Sequence, residues 1–351
     1  MRQIVYAGYR SEDLLQEGLK PEPEVWEDGI RADTASGSFE WWYFDTHFED
    51  GSTAVIVFFT KPILNRNAGL MPGASLTITR PNGEKISRFL VVPPEEFSAA
   101  REHCDVRIGK NYVQGDLKQY HLRVDAGEIS AELEMQSSVP AWRPGAGKNY
   151  YDRQRKRYFG WLAAVPHGTV TGTLKYDGAV HQVGGSMYHD HNWGNVGLEE
   201  VLSHWYWGRA RVGQYTVIFV EMTAARRFGY QKMPVFMLAH EDRILIGDGR
   251  PLKMQAGDFV RHSGGREYPQ QVSFDWQDDA GRVTISLCDL QIIEATTLLS
   301  SLPRWKQRLA RLVGATPFYF RFNAAMRLDV ALDYLVSHEQ GGALYELMML
   351  K

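Results

Sequence analysis

The densest group of side chains that could do chemistry is the segment YHDHNWG (188–194). In an extended strand these side chains would alternate, so that His189, His191 and Trp193 share one face and the polar residues between them share the other. Polar groups at this density are costly to bury without hydrogen-bond partners. The segment therefore predicts a functional site at a junction between two domains. The alternative is a polar network that only joins those domains.

The HxH spacing of His189 and His191 also suggests a metal. Two imidazoles at i and i+2 on a strand can share a zinc ion, but a third ligand must come from elsewhere in the chain. His204 and Glu221 are the nearby candidates. Because an HxH pair alone is a nonspecific pattern, we predict neither a metal nor a cofactor.

A second group is the aromatic segment FEWWYFD (39–45). Glu40, Trp42 and Phe44 would share one face of a strand, and aromatic residues would occupy the other face as well. Aromatic residues on both faces suit a strand that is packed on two sides, while a subset could present π faces to a ligand or to a developing cation. The aromatic residues that we predict to contact substrate, here and later in the chain, are Trp42, Tyr188, Trp193, Trp205, Trp207 and Tyr215.

The aromatic opening is repeated later in the chain. Trp42-Tyr43-Phe44, followed by Gly51 and the run STAVIVFF, recurs about 160 residues later as Trp205-Tyr206-Trp207, followed by Gly213 and QYTVIFVE. An aromatic triplet that opens a hairpin, repeated at domain spacing, predicts two copies of one β architecture. We place the first copy within residues 25–202 and the second within residues 203–351.

Glu221 stands out against this repeat. On a regular strand it would share a face with Tyr215, Val217 and Phe219, and the matching position of the first repeat is the apolar Phe59. A carboxyl on an apolar face is desolvated, so we expect a raised pKa, as a general acid near neutral pH requires. The alternative is a surface carboxylate.

The elements that must position these groups are short strands. Runs such as STAVIVFFT (52–60), TVTGTLKYDG (169–178) and GRVTISLCDL (281–290) are rich in β-branched and aromatic residues and end at Gly, Pro, Asn or Asp. A chain of 351 residues exceeds one ordinary core, which favours two domains. The prediction is an all-β protein made of two tandem lipocalin-like β-barrels.

Charge and composition exclude several classes of protein. The formal net charge of −3 gives no electrostatic basis for binding nucleic acid. The two cysteines are far apart, which argues against a disulfide scaffold and is compatible with a reducing compartment. The N-terminus lacks the apolar region of a secretory signal, and the longest apolar run is far below the roughly 18 residues that span a bilayer. We therefore predict a cytoplasmic location.

One segment breaks the β pattern. Residues 300–314, SSLPRWKQRLARLVG, predict a short amphipathic helix with Pro303 at its start and Gly314 after its end. One face is apolar and the other carries four positive charges. A helix that covers a barrel end is the first interpretation; the second is peripheral contact with an anionic inner-membrane surface.

Three of these segments carry a family resemblance. FEWWYFD (39–45), YHDHNWGN (188–195) and WYWGR (205–209) resemble the carotenoid 1,2-hydratase (hydroxyneurosporene synthase) family. That family belongs to a larger lipocalin-like group with two tandem β-barrels, which also holds fungal Diels–Alderases. The resemblance runs from residue 25 to the C-terminus, and HDHNWG is its most specific part. It implies the same two-barrel fold as the internal repeat.

The resemblance implies addition of water across a terminal double bond of an acyclic polyene, a hydro-lyase activity. Asp190 or Glu221 would protonate the alkene, and His191, with His189, would orient or deprotonate water. Aromatic faces would stabilise the tertiary cation, a role that falls to Trp193 and Trp205.

The strand after HDHNWG departs from the family. The family carries Tyr-x-Asp where this chain has Phe219-Val220-Glu221. The change keeps an acid but loses a hydroxyl, so this chain departs from the pattern of a carotenoid hydratase at this position.

The leading hypothesis is an enzyme that hydrates a C=C bond of an apolar polyene or terpenoid-like molecule. One alternative is a cyclase or pericyclase, similar to a Diels–Alderase, acting on a polyketide or terpenoid. The other is a lipocalin-like carrier of an apolar ligand, which accounts better for the basic segment 300–314 but not for the ionisable groups in 188–194.

Overall fold

The computed structural model describes residues 4–62, 65–297 and 317–350. Among these residues β-strands predominate, which confirms the all-β prediction. The short helices are α1 (Ser11–Glu17) and α2 (Leu198–Val201), with 3-10 turns at Val25–Asp28, Pro94–Glu96 and Arg226–Phe228. None of the described helices is long and apolar enough to cross a membrane. The segment 300–314, with its predicted helix and membrane contact, lies outside the described residues.

The chain divides into two compact units. The N-terminal unit is Tyr6–Val196, and the C-terminal unit comprises the described residues from Gly197 onward together with residues 4 and 5. The strands of the N-terminal unit are β1 (Tyr6–Ala7), β2 (Phe39–Phe48), β3 (Thr53–Phe59), β4 (Gly73–Thr79), β5 (Lys85–Val91), β6 (Phe97–Ala99), β7 (Cys104–Ile108), β8 (Asn111–Gly115), β9 (Gln119–Asp125), β10 (Ser130–Ser137), β11 (Lys148–Tyr150), β12 (Tyr158–Tyr176) and β13 (Ala179–Gly194).

The N-terminal unit is one antiparallel sheet in the order β5-β4-β3-β2-β13-β12-β10-β9-β8-β7-β6, with β1 and β11 attached beside β12. The end strands β5 and β6 are consecutive in the chain. The inward side chains form a single apolar core, because burial alternates along the strands with the period of two that a one-sided sheet requires. Strand β13 lies near the middle of the sheet, between β2 and β12, so both of its edges are hydrogen-bonded.

The C-terminal unit is a second antiparallel sheet, in the order β17-β16-β15-β14-β22-β21-β20-β19-β18, and it has its own core. The strands are β14 (Leu202–Val212), β15 (Tyr215–Ala224), β16 (Lys232–His240), β17 (Arg243–Ile246), β18 (Lys253–Arg261), β19 (Glu267–Asp278), β20 (Gly281–Thr297), β21 (Phe318–Leu332) and β22 (Leu335–Met349).

The repeated aromatic triplets do open hairpins, β2–β3 and β14–β15, but their faces are out of phase. Trp42 lies in the core of the N-terminal unit, whereas Trp205 is half-buried and the next residue, Tyr206, lies in the core of the C-terminal unit. The second hairpin closes tightly, since Val212 pairs with Tyr215. The two cores therefore take different members of the two triplets, because side chains alternate at every residue along a strand.

Candidate active site

Strand β13 carries the segment 188–194 with the predicted alternation of side chains. His189, His191 and Trp193 lie on the core side, where both histidines meet Asp28 and Trp193 joins the apolar core. Tyr188 and Asp190 lie on the opposite side and are joined there by a hydrogen bond. The strand therefore carries two separate polar groups: an inner group on the core side of the sheet and an outer group on the opposite side.

The inner group is built around the carboxylate of Asp28, which the 3-10 turn Val25–Asp28 brings into the core. Its Oδ2 accepts a hydrogen bond from the Tyr120 hydroxyl at 2.6 Å and lies 3.1 Å from Nε2 of His189. Its Oδ1 lies 3.3 Å from Nδ1 of His191, an ion-pair distance. Burial alone would raise the pKa of Asp28, but the charges and hydrogen bonds of His189 and His191 outweigh burial and hold the pKa well below its ordinary value.

His191 lies between two carboxylates. Its Nε2 is 2.7 Å from Oε1 of Glu40, and that oxygen also accepts a hydrogen bond from the backbone N–H of Arg31 at 2.6 Å. Oε2 of Glu40 accepts one from the backbone N–H of Ala32 at 2.9 Å. Burial disfavours the charged ring, but the hydrogen bonds and charges of Asp28 and Glu40 prevail and raise the pKa of His191 to about 9. His191 is thus an imidazolium at neutral pH, paired with buried carboxylates.

Aromatic rings enclose the two imidazoles. Trp42 stacks on His191 with ring centroids 4.7 Å apart, and Phe44 stacks on His189 at 4.0 Å. Tyr120 meets His189 edge-on at 4.9 Å. The stacking on aromatic faces and the pairing with carboxylates both stabilise the His191 cation. These contacts hold β13 in place against the core.

The thiol of Cys104 also belongs to the inner group. It is buried, and burial followed by the nearby charge of Asp28 raises its pKa well above the ordinary value. One ligand atom each from Asp28, Cys104 and His189 lie within 4.8 Å of one another. Asp28, Cys104 and His189 could therefore hold a metal ion together.

The outer group is built around Asp190. Its Oδ2 accepts hydrogen bonds from Trp161 Nε1 at 3.0 Å and from the Tyr188 hydroxyl at 2.8 Å, and its Oδ1 accepts one from Asn192 Nδ2 at 2.7 Å. Strand β12 supplies Trp161, because Trp161 pairs with Asn192 across the sheet. The side chain is 8% exposed, and burial raises the pKa of Asp190 even though all three hydrogen bonds act to lower it.

Aromatic side chains surround this carboxyl. Trp142 meets Trp161 edge-on at 5.8 Å, and Tyr43 meets Tyr188 edge-on at 6.4 Å. Strand β2 contributes half-buried aromatics here, because alternate residues of β2 pair with this face of β13. We call this surface the Asp190 face and define it by Trp41, Tyr43, Trp161, Tyr188, Asp190 and Asn192.

In the C-terminal unit, Glu221 lies on the predicted face of β15, in line with the core residues Val217 and Phe219. It is 7% exposed, and it forms an ion pair with the ammonium group of Lys232. Burial, followed by the charge of Glu221, raises the pKa of the paired Tyr206 to about 12. Glu221 is buried as predicted, but its cationic partner suits a structural carboxylate better than a proton donor.

Other predicted residues of this unit lie near the same strands. His204 meets Tyr206 edge-on at 5.6 Å, and burial, followed by the charge of Lys232, lowers the pKa of His204 to about 4. Tyr215 is buried beside His240, with ring centroids 4.8 Å apart. Trp205 and Trp207 are half-buried on the non-core face of β14.

The structure brings some predicted residues together and separates others. Asp190 and His191 lie on opposite faces of β13, so one substrate on the Asp190 face does not meet both side chains. The candidate third ligands His204 and Glu221 belong to the C-terminal unit, whereas the groups beside His189 are Asp28 and Cys104.

Sequence reasoning did not assign site roles to Asp28, Tyr120, Cys104 or Trp161. Glu40 carried a usable signal, because an acid stood on the same predicted face as Trp42. Asp28 had no such signal, since it follows no strand pattern and meets His189 across 161 positions of sequence.

Solved structures with the same fold include CghA in complex with Sch210972 and kievitone hydratase from Nectria haematococca. The first gives a TM-score of 0.63 at 15% identity over 94% of this chain and 97% of that one. The second gives 0.56 at 13% identity over 99% and 98%. At these identities the likeness shows the fold alone, and it confirms the prediction of two tandem lipocalin-like barrels.

Two relatives are similar in sequence. The quinolone epoxide rearrangement protein asqO of Emericella nidulans is 38% identical over 270 residues, 72% of this chain and 72% of that protein. Hydroxyneurosporene dehydrogenase of Chlorobaculum tepidum is 28% identical over 207 residues, 50% of this chain and 54% of that protein. The match therefore spans about half the length of the second relative.

Fold and relatives together define the class: a two-barrel protein of the lipocalin-like group. Residues 31–283 match the Diels-Alderase-like family, and the chain belongs to that family. The resemblance to a lipocalin-like group with carotenoid hydratase-like and Diels–Alderase members is thereby confirmed.

Proposed function

We propose that this enzyme catalyses a proton-initiated rearrangement or cyclisation of an apolar, unsaturated small molecule, with Asp190 as the proton donor. The observation that carries the proposal is the carboxyl of Asp190, whose pKa burial raises although three hydrogen-bond donors act to lower it. A carboxyl that resists ionisation is what general-acid catalysis near neutral pH requires.

The hydrogen bonds indicate which oxygen would carry the proton. Oδ2 already accepts from Trp161 and Tyr188, while Oδ1 accepts one hydrogen bond, from Asn192. Oδ1 therefore has capacity to hold a proton and present it to substrate. The two donors on Oδ2 would stabilise the carboxylate that remains after transfer.

The reaction follows from these groups. Asp190 gives its proton to a C=C bond or to an epoxide oxygen, and positive charge develops on the neighbouring carbon. The π faces of Trp161, Tyr188 and Tyr43 stabilise that charge. The Asp190 carboxylate then takes a proton from an adjacent carbon, so the product is an isomer of the substrate and the enzyme is restored.

Rearrangement is the first candidate because it needs only Asp190 and no water molecule held against the substrate. Hydration was predicted with Asp190 or Glu221 as acid and His191 as base, and the side chains of Asp190 and His191 lie on opposite faces of β13. The similarity to a quinolone epoxide rearrangement protein over 72% of the chain supports the same choice.

Hydration of a C=C bond is the second candidate, supported by the family resemblance of YHDHNWGN. In this variant water adds to the cation, and the Asp190 carboxylate takes the proton that water releases. The same acid starts both reactions, so the mass of the product distinguishes them.

The test is incubation of the purified protein with acyclic carotenoids and with quinolone epoxides, followed by chromatography and mass spectrometry. A product of unchanged mass but altered retention supports rearrangement or cyclisation. A product heavier by one water supports hydration. Recovery of only unmodified, protein-bound compound from every substrate class would favour a carrier and would contradict the proposal.

A further inference from the structure

We propose that Asp28, Cys104 and His189 form a zinc site inside the N-terminal unit, with the Tyr120 hydroxyl as the fourth group. The turn Val25–Asp28 brings in Asp28, β7 begins at Cys104, and β9 and β13 carry Tyr120 and His189. This site is distinct from the Asp190 face, and it does not depend on the proposed reaction.

The donor set is the first argument. A carboxylate oxygen, a thiol sulfur and an imidazole nitrogen lie within 4.8 Å of one another, and all three residues are buried. Mixed oxygen, nitrogen and sulfur ligands are typical of zinc, which binds them at roughly 2.0–2.3 Å in tetrahedral geometry. Ligand atoms around such an ion lie roughly 3.3–3.8 Å apart. Nε2 of His189 and Oδ2 of Asp28 are already 3.1 Å apart, so only the more distant atoms of the group need to move closer, by roughly 1 Å at most.

The orientation of His189 is the second argument. Its Nδ1 lies 2.9 Å from the backbone carbonyl of Tyr43, which can only accept, so Nδ1 carries a hydrogen. Nε2 faces Oδ2 of Asp28 at 3.1 Å. At this distance a cation must lie between Nε2 and the carboxylate oxygen, either a proton, as in the ion pair described above, or a metal ion. A histidine that donates one ring N–H to a backbone carbonyl is the usual arrangement of a metal ligand.

The remaining acceptor capacity is the third argument. Oδ1 of Asp28 is fully buried and faces Nδ1 of His191 at 3.3 Å, a long ion pair that leaves this oxygen able to accept a second partner. A zinc ion would neutralise the Asp28 carboxylate and the Cys104 thiolate together. The S–Zn bond forms as the thiol gives its proton to solvent, and the neighbouring pair of His191 and Glu40 is already balanced in charge.

The competing occupant is a proton on Nε2 of His189, and the test separates it from a metal. The protein is produced in zinc-supplemented medium, purified without chelators and analysed for metal, and a second sample is refolded with Co²⁺. Cys104→Ala removes the sulfur ligand, while Cys288→Ala, which changes the exposed cysteine, is the matched control.

We expect stoichiometric zinc in the wild type and in Cys288→Ala, and loss of that zinc in Cys104→Ala. The cobalt sample should show a thiolate-to-cobalt charge-transfer band in the wild type and in Cys288→Ala. If Cys104→Ala fails to fold, the band in Cys288→Ala still decides, because Cys104 is then the remaining thiol. Wild-type protein that holds no zinc and gives no such band would show that a proton occupies the site. An Asp190 variant that loses activity but keeps its zinc would separate the proposed reaction from the zinc site.

Discussion

Replacing His191 with Gln tests the buried charge group beneath β13. Glutamine keeps a donor for Glu40 but does not titrate, whereas His191 is fully buried between Glu40 and Asp28. The expected result is a loss of pH dependence in the free energy of unfolding. The reason is that His191 has a pKa of about 9 in the folded protein and an ordinary value of 6.5.

The sign and size follow from that difference. A pKa that is raised on folding contributes stability that is complete below the unfolded value and is lost as the pH rises through the folded value. The contribution of His191 is therefore full below pH 6.5 and lost as the pH rises to about 9. At ~1.4 kcal/mol per pKa unit, it amounts to about 3 kcal/mol.

The assay is urea unfolding at several pH values between 6 and 10, followed by tryptophan fluorescence. Trp42 and Trp193 lie 4.7 and 5.0 Å from the His191 ring and report on its surroundings. Subtracting the free energy of unfolding of His191→Gln from that of the wild type removes the contributions of other titrating groups, including Cys104. Between pH 6.5 and 9 the wild type should lose about 3 kcal/mol more than the variant. Parallel curves for the two proteins would refute the charged state assigned to His191.

Two further predictions concern packing and the second candidate acid. Gly160→Ala should destabilise the protein by about 1–3 kcal/mol, because its new Cβ would lie 2.4 Å from the Trp193 ring. Gly184→Ala is the control, since the nearest atom to its new Cβ is 4.0 Å away. Equal urea midpoints for the two variants would show that the core accommodates both. Glu221→Gln should keep turnover, because Glu221 is paired with Lys232; a loss of turnover at unchanged stability, measured with the same substrate panel, would return the acid role to Glu221.

The fold was predictable where local pattern decides it. β-branched strands separated by turn residues gave the all-β class, and the period of two in YHDHNWG placed His189 and His191 on one face and Asp190 on the other. The same rule placed Glu221 on the core face of β15. These predictions needed only the alternation of side chains along a strand.

What could not be predicted depends on contacts between distant parts of the chain. The histidine pair was visible, but Asp28 reaches it from a 3-10 turn that no strand pattern marks. The repeat did not indicate that the core takes Trp42 from the first triplet but Tyr206 from the second, because which face packs inward depends on the rest of each sheet. The ion pair of Glu221 with Lys232 likewise depends on the register of β15 and β16, which the sequence pattern does not specify.

The most direct test of the central claim is turnover by Asp190→Asn across a pH series. The variant keeps the shape and one acceptor oxygen but has no acidic proton to donate. Asp177→Asn, at a half-exposed carboxylate of the same unit, is the matched control. We predict that Asp190→Asn binds substrate, unfolds at a urea midpoint close to that of the wild type, and loses turnover at every pH. Full turnover by Asp190→Asn would contradict acid catalysis and would indicate a pericyclic reaction that needs shape alone.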